Sequence, residues 1–357
     1  MNVHAPIHQD RATAVTTSPT LQAGHPPVKT ERIGVLLSNL GTPDATDYRS
    51  VRRYLAEFLS DARVIELPKW KWYPILYGIV LNTRPQKTGA NYKTIWNTQK
   101  DESPMRTICN AQTAALADAF AGEPRVRVEL GMRYGNPSIE SALEKLTAQG
   151  CDRIVFLPLY PQYSATTTAT ANDQLFRALM KLRNQPAVRT APVYYDEPAY
   201  IEALAASIEE HLAGLDFEPE VVLASYHGIP KRYAENGDPY PQHCHETTRL
   251  LRERLGWDEK RLLTTFQSLF GKEEWIRPYT DETVERLAKE GVRRIAIVNP
   301  GFSADCIETL EEIDGEVREI FLHAGGEKFS HIPCLNDRKD GMAMIEKLVR
   351  RELEGWL

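Results

Sequence analysis

Residues 32–43 read RIGVLLSNLGTP, and residues 221–230 read VVLASYHGIP. Each is a short leucine- and valine-rich run that ends in a Ser-x-x-Gly-x-Pro turn, and the two turns are offset by 187 positions. An unbroken apolar run of this length fits a strand buried on both faces of a parallel sheet. The neighbouring chain agrees: VRVELGMRY and RIVFLPLY are further runs of the same kind, spaced by segments of helical period after Ser50 and from Ser138. Strands alternating with helices predict an α/β fold with a parallel sheet. Such sheets take their ligands where the carboxyl ends of the strands lead into helices.

A second pair of segments repeats. LEKLTAQGCDRIVFLP and VERLAKEGVRRIAIVNP place Gly150 and Gly291 in register at an offset of 141. Two matches in the same order predict a duplication into two similar Rossmann-like half-domains, each a parallel sheet flanked by helices, with a cleft between them. The offsets differ by 46, so the first half is expected to carry an insertion of about that size, with residues 49–100 the candidate. The expected organisation is a disordered tail at 1–30, a first half at 31–175, a second half at 176–334, and a C-terminal helix at 335–357 packing back on the first half.

Bulk properties narrow the function. A chain of 357 residues, 42% hydrophobic, can build two cores. A net charge of −6, with 43 basic and 49 acidic residues intermixed, offers no basic stripe for nucleic acid. The five cysteines are odd in number and widely spaced, with no CxxC pair, which argues against a disulfide framework and for a reducing, cytoplasmic setting. The longest apolar segment, Tyr73–Leu81, is about half of the ~20 residues that span a bilayer.

Differences between the halves single out chemistry. Where the first half has Leu40 after its first strand, the second has His227; where the first has Ala165-Thr166-Thr167-Thr168, the second has Ala304-Asp305-Cys306-Ile307-Glu308. Both changes add titratable groups at strand ends, on loops that face one crevice in a Rossmann-like half. Glu308, Glu312 and Glu316 recur at i, i+4 and i+8, an acidic row on one helical face if the helix runs through Gly315. The His243-Cys244-His245 triplet is a weaker metal candidate, because consecutive side chains diverge and two ligands are not a site. No GxGxxG is present, and Gly271-Lys272 lacks the upstream glycine of a phosphate loop.

Seven stretches in unbroken order, GVLLSNLGTPD, GMRYGNPSI, FLPLYPQYSATTT, SYHGIPKRY, GDPYPQ, TTFQSLFGKEEWIRPYTDE and GFSADCIETLEEID, together resemble the ferrochelatase family. The resemblance covers about residues 31–337 and implies the chelatase type of fold, with a porphyrin cleft between the halves and Fe²⁺ insertion into protoporphyrin IX to form protohaem. SYHGIP and GFSADCIETL are similar to proteobacterial members, which act on protoporphyrin rather than coproporphyrin. The resemblance implies His227 as metal ligand and acceptor of pyrrole protons, Glu308 as the second catalytic and metal-binding residue, and Asp305 beside it. It further implies porphyrin-facing positions at Leu40, Arg84, Tyr92, Ser103, Arg133, Tyr134, Tyr163, Ser268 and Trp275. Some members carry histidine where this chain has Cys306, so a two-histidine mechanism is not expected. No cofactor is expected and no [2Fe–2S] cluster, since Cys334 is the last cysteine. The insertion, with Trp70, Trp72, Tyr73, Ile75, Leu76 and Tyr77 beside Lys69 and Lys71, is expected to cover the porphyrin and to touch the inner membrane surface peripherally. Rival readings are a cobalt or nickel chelatase acting on a related tetrapyrrole, and a non-catalytic haem or metal carrier.

Overall fold

A computed structural model describes residues 31–271 and 273–357, so the expected disordered tail at 1–30 lies outside the described residues. Among the described residues, eight strands form two four-stranded sheets. The first contains β1 (Arg32–Thr42), β2 (Val126–Gly135), β3 (Cys151–Pro158) and β4 (Ala187–Thr190) in the order β2-β1-β3-β4. The second contains β5 (Val221–His227), β6 (Leu262–Gln267), β7 (Arg294–Val298) and β8 (Lys328–Ile332) in the order β6-β5-β7-β8. Every pairing is parallel. Each parallel step needs a crossover, and helices supply it on both faces.

The winding is the same in both halves, with β1 and β5 central. The two SxxGxP segments therefore occupy equivalent places at the carboxyl ends of β1 and β5. Gly41 shows why its turn takes glycine: its φ is +106°, and a Cβ there would lie 1.8 Å from the Tyr134 carbonyl oxygen. The division expected at 175/176 is corrected. It falls inside the helix Thr170–Lys181, and β4 completes the first sheet only at Thr190. Nothing in the composition near 175 marks this, because a short edge strand such as AVRT carries too few apolar residues to stand out.

The insertion contains the helix Tyr48–Leu59, the helix Lys69–Ile75, a π-helical turn at Leu76–Val80 and the helix Leu81–Ile95. Val51, Tyr54, Leu55, Leu59, Trp72, Leu76 and Leu81 bury one face against Tyr134 of β2. The C-terminal helix Lys339–Leu353 packs against β3 and the helices Pro104–Ala119 and Pro198–Ala213. The main core passes through both halves, joining Ile33, Val35 and Leu37 of β1 to Val222 and Ala224 of β5 and to Ile345, Leu348 and Val349 of that last helix. No helix among the described residues is long and apolar enough to cross a membrane.

Candidate active site

The strand ends of both halves border one cleft of about 880 Å³, within the ~300–1,000 Å³ range of small-molecule sites. Asn39 and Leu40 line it from the first half, Trp72 and Arg84 from the insertion, and His227, Gln267, Ser268 and Trp275 from the second half.

His227 is the last residue of β5. Its Nδ1 lies 2.6 Å from the Gly228 carbonyl oxygen. A carbonyl only accepts, so Nδ1 carries the hydrogen and the neutral ring keeps its lone pair on Nε2. The Trp275 ring stands 6.2 Å away, tilted by 44°. Gly228 makes this closeness possible, since a Cβ there would sit 3.0 Å from both the Gln267 carbonyl oxygen and Trp275 Cε3.

The acidic row lies on a π-helix, Glu308–Val317, rather than the α-helix expected from its spacing. Its i→i+5 turns are wider than α turns, and Glu308, Glu311, Glu312 and Glu316 all line the cleft. Exposure increases along the row, from half-buried Glu308 and Glu312 to exposed Glu316. Ser268, itself at a left-handed φ of +68°, holds Glu312 by donating from its N–H at 2.6 Å and its Oγ at 2.5 Å. Burial and the charge on Glu308 push the Glu312 carboxyl up; the Ser268 bonds and His227 pull the other way, and the net direction is upward. Glu311 is likewise raised, by burial and then by Glu316, while Asn91 of the insertion donates to it at 2.7 Å. Gln267 links the strand ends to this helix: its Oε1 accepts from Ser225 Oγ and Asn299 Nδ2, both at 2.8 Å, and its Nε2 donates to the Glu308 carbonyl at 2.7 Å.

The structure does not bring all the expected residues to the cleft. Tyr92 and Ser103 border a smaller chamber that shares Leu40, Met105 and Glu308 with it. Arg133, Tyr134 and Tyr163 are not in the cleft wall. Arg133 is 5% exposed and ion-paired to Asp61, to which the Tyr134 hydroxyl also donates at 2.9 Å. Asp305 is buried beneath the π-helix, with both oxygens occupied by hydrogen bonds. Leu76 is buried in the insertion's own core, and Trp72 is buried there while also lining the cleft, whereas Trp70, Ile75, Tyr77 and Ile79 are exposed. The His243-Cys244-His245 triplet lies on the helix Tyr240–Leu255, where the side chains diverge. His243 stacks on Tyr195 at 3.8 Å and accepts from the Tyr163 N–H, Cys244 is fully buried, and His245 meets the edge of Phe266. Among the described residues no group of three or more His, Cys, Asp or Glu side chains is arranged to hold a metal ion, and all five cysteines are free thiols.

Glu311 and Gln267 are polar wall residues that the sequence did not single out. Glu311 carries a signal, being i+3 from Glu308 on the same helical face. Gln267 carries none, because one amide at a strand end is distinctive only once its partners are known.

Two parallel sheets bordering a single cleft, with a histidine at a strand end and four glutamates of one π-helix in its wall, make a chelatase-type fold. SirB from Bacillus subtilis, solved with Fe³⁺, shares this fold with a TM-score of 0.54 at 13% identity, over 90% of this chain and 95% of that one. The cobalt complex of the sirohydrochlorin chelatase SirB from the subspecies spizizenii gives a TM-score of 0.53 at 11% identity, over 90% and 96%. A sequence model of the ferrochelatase family matches residues 32–353. Ferrochelatases of Mesorhizobium japonicum and Brucella anthropi are 67% and 64% identical to this chain, over 94% and 96% of its length and 95% and 96% of theirs. The chain belongs to the ferrochelatase family.

Proposed function

We propose that this protein inserts Fe²⁺ into protoporphyrin IX and releases protohaem. The observation that carries the reading is the contact of His227 Nδ1 with the Gly228 carbonyl, which leaves Nε2 as the ring's open site in a cleft shared with Glu308. Metallation removes two protons from pyrrole nitrogens, strips water from the ion, and forms four Fe–N bonds. An imidazole with Nε2 open can take one such proton or lend its lone pair to the metal. Glu308, with Glu311, Glu312 and Glu316 running outward, offers hard oxygen ligands to a partly dehydrated cation and a route away for protons. Leu40 and Trp275 supply apolar wall for the macrocycle, and Arg84 a cation for a propionate. Burial already pulls the Arg84 guanidinium down, so an incoming carboxylate offsets a desolvation the protein carries without it. The exposed Trp70, Ile75, Tyr77 and Ile79, with Lys69 and Lys71 beside them, suit a shallow contact with a lipid surface near the cleft mouth.

The test is anaerobic incubation of the full chain with protoporphyrin IX and Fe²⁺. Appearance of the haem spectrum with turnover supports the enzyme reading. Stoichiometric binding without metallation would make the chain a carrier, and metallation by Co²⁺ or Ni²⁺ alone would move it to another chelatase.

A further inference from the structure

The turn that starts the π-helix is held by a hydrogen-bond cluster that the chemistry above does not use. Asn336 follows β8 in a left-handed conformation, φ +49°. It pairs reciprocally with Asp305: the Asp305 N–H donates to Asn336 Oδ1 at 2.8 Å, and Asn336 Nδ2 donates to Asp305 Oδ2 at 2.6 Å. The other Asp305 oxygen accepts from Thr309 Oγ1 at 3.0 Å and from the Cys334 N–H at 3.2 Å. Thr309 Oγ1 accepts in turn from the Cys306 N–H at 3.0 Å. Residues 305–309 are thereby fixed on both flanks of Glu308, whose own carbonyl is held by Gln267.

The cluster reaches into the other half. Gln112, fully buried on the helix Pro104–Ala119, donates its single Nε2 group to the Asn336 carbonyl at 2.8 Å and the Ser303 carbonyl at 3.0 Å. Asn39, next to Leu40, donates to Ser303 Oγ at 3.1 Å. A carboxylate this buried is stable only when hydrogen-bonded, and asparagine is the side chain that both tolerates the left-handed backbone and returns the bond. Such a network admits few alternative arrangements.

We propose that Asn336 and Gln112 are positioning residues for Glu308. The pair Asn336–Asp305 sets the first turn of the π-helix, and Gln112 ties that turn to the half bearing Leu40, so the Glu308 carboxylate keeps one place relative to His227 as the metal arrives. The inference rests on the proposed function, in which Glu308 meets the metal.

Three variants of the full chain test it. Asn336→Gly keeps the left-handed backbone and the carbonyl that Gln112 reaches, and removes only the amide. Gln112→Met keeps the length and removes both donated bonds. The double exchange Asp305→Asn with Asn336→Asp reverses the pair but preserves every donor and acceptor. With protoporphyrin IX and Fe²⁺, the first two are expected to lose about 10- to 100-fold in kcat/KM for Fe²⁺, the scale of a small misplacement of a reacting group. Protoporphyrin affinity, read by fluorescence, should stay within about twofold, and the exchange variant should recover most of the loss. Unchanged Fe²⁺ kinetics in Asn336→Gly, or an equal loss of porphyrin and Fe²⁺ affinity, overturns the inference. An exchange variant as slow as Asn336→Gly also overturns it, and decides the matter should the glycine variant lower the thermal midpoint. No haem from the wild-type control would instead overturn the proposed function, and this inference with it.

Discussion

The Nδ1–H of His227 is spent on the Gly228 carbonyl, so Nε2 is the one ring nitrogen left to act in the proposed reaction. His227→Ala is expected to abolish metal insertion while protoporphyrin still binds by fluorescence, and near-normal turnover would place the base elsewhere. Glu308→Gln keeps the size and removes the charge, so turnover should fall by orders of magnitude with the circular-dichroism spectrum unchanged. Glu312 leads to a different expectation. Burial leads the causes that raise its carboxyl, so its pKa is higher in the folded chain than in the unfolded one. A group of that kind contributes its full stability below the unfolded value, ~4.3, and the contribution is lost as pH rises through the folded value. Glu312→Gln should therefore raise the thermal midpoint at pH 7, with the gain fading as pH falls toward 4. Equal midpoints at pH 7 would show that the Ser268 bonds outweigh the burial.

Among the elements, the insertion illustrates how far the sequence can be read. Its place and approximate length followed from two unequal offsets. Its faces did not, because KWKWYPILYGIV is apolar nearly all round and periodicity cannot sort such a segment. Packing sorted it: Trp72 turned inward, its Nε1–H donating to the Leu59 carbonyl at 2.6 Å, while Trp70 two residues earlier stayed exposed. Leu76→Ala should accordingly cost about 2–5 kcal/mol in denaturant unfolding. Ile75→Ser with Ile79→Ser should leave that stability nearly intact and weaken liposome association; unchanged association would take the lipid contact away from this face. The acidic row shows the complementary limit. Glutamates at i, i+4 and i+8 announced a shared face, but α and π turns both bring such residues close together, so the spacing alone does not tell one from the other.

At the level of the whole molecule, duplication was legible because it repeats turns, and turns are where residue type is most constrained. The residues it singled out, His227 and Glu308, share the cleft wall. Arg133, Tyr134 and Tyr163 entered only through the resemblance, and their side chains are absent from that wall. The core joining the halves was not legible, since it depends on which faces meet. Its dependence on the last helix is testable: Met344, Ile345, Leu348, Val349 and Leu353 are all at most 4% exposed. Removing residues 339–357 should leave a chain that no longer unfolds cooperatively, although every strand remains. A cooperative transition near the wild-type midpoint would show that the helix is dispensable.

The hydrogen bond from His227 to Gly228 also has a stoichiometric meaning. Each porphyrin surrenders two protons for one divalent ion, so the loaded cleft has the same net charge before and after the exchange. On the proposal that His227 is the base, its one open site carries one of those protons at a time. The exchange then proceeds in two halves, with the imidazole emptied between them or with a carboxylate of the row taking the second proton directly.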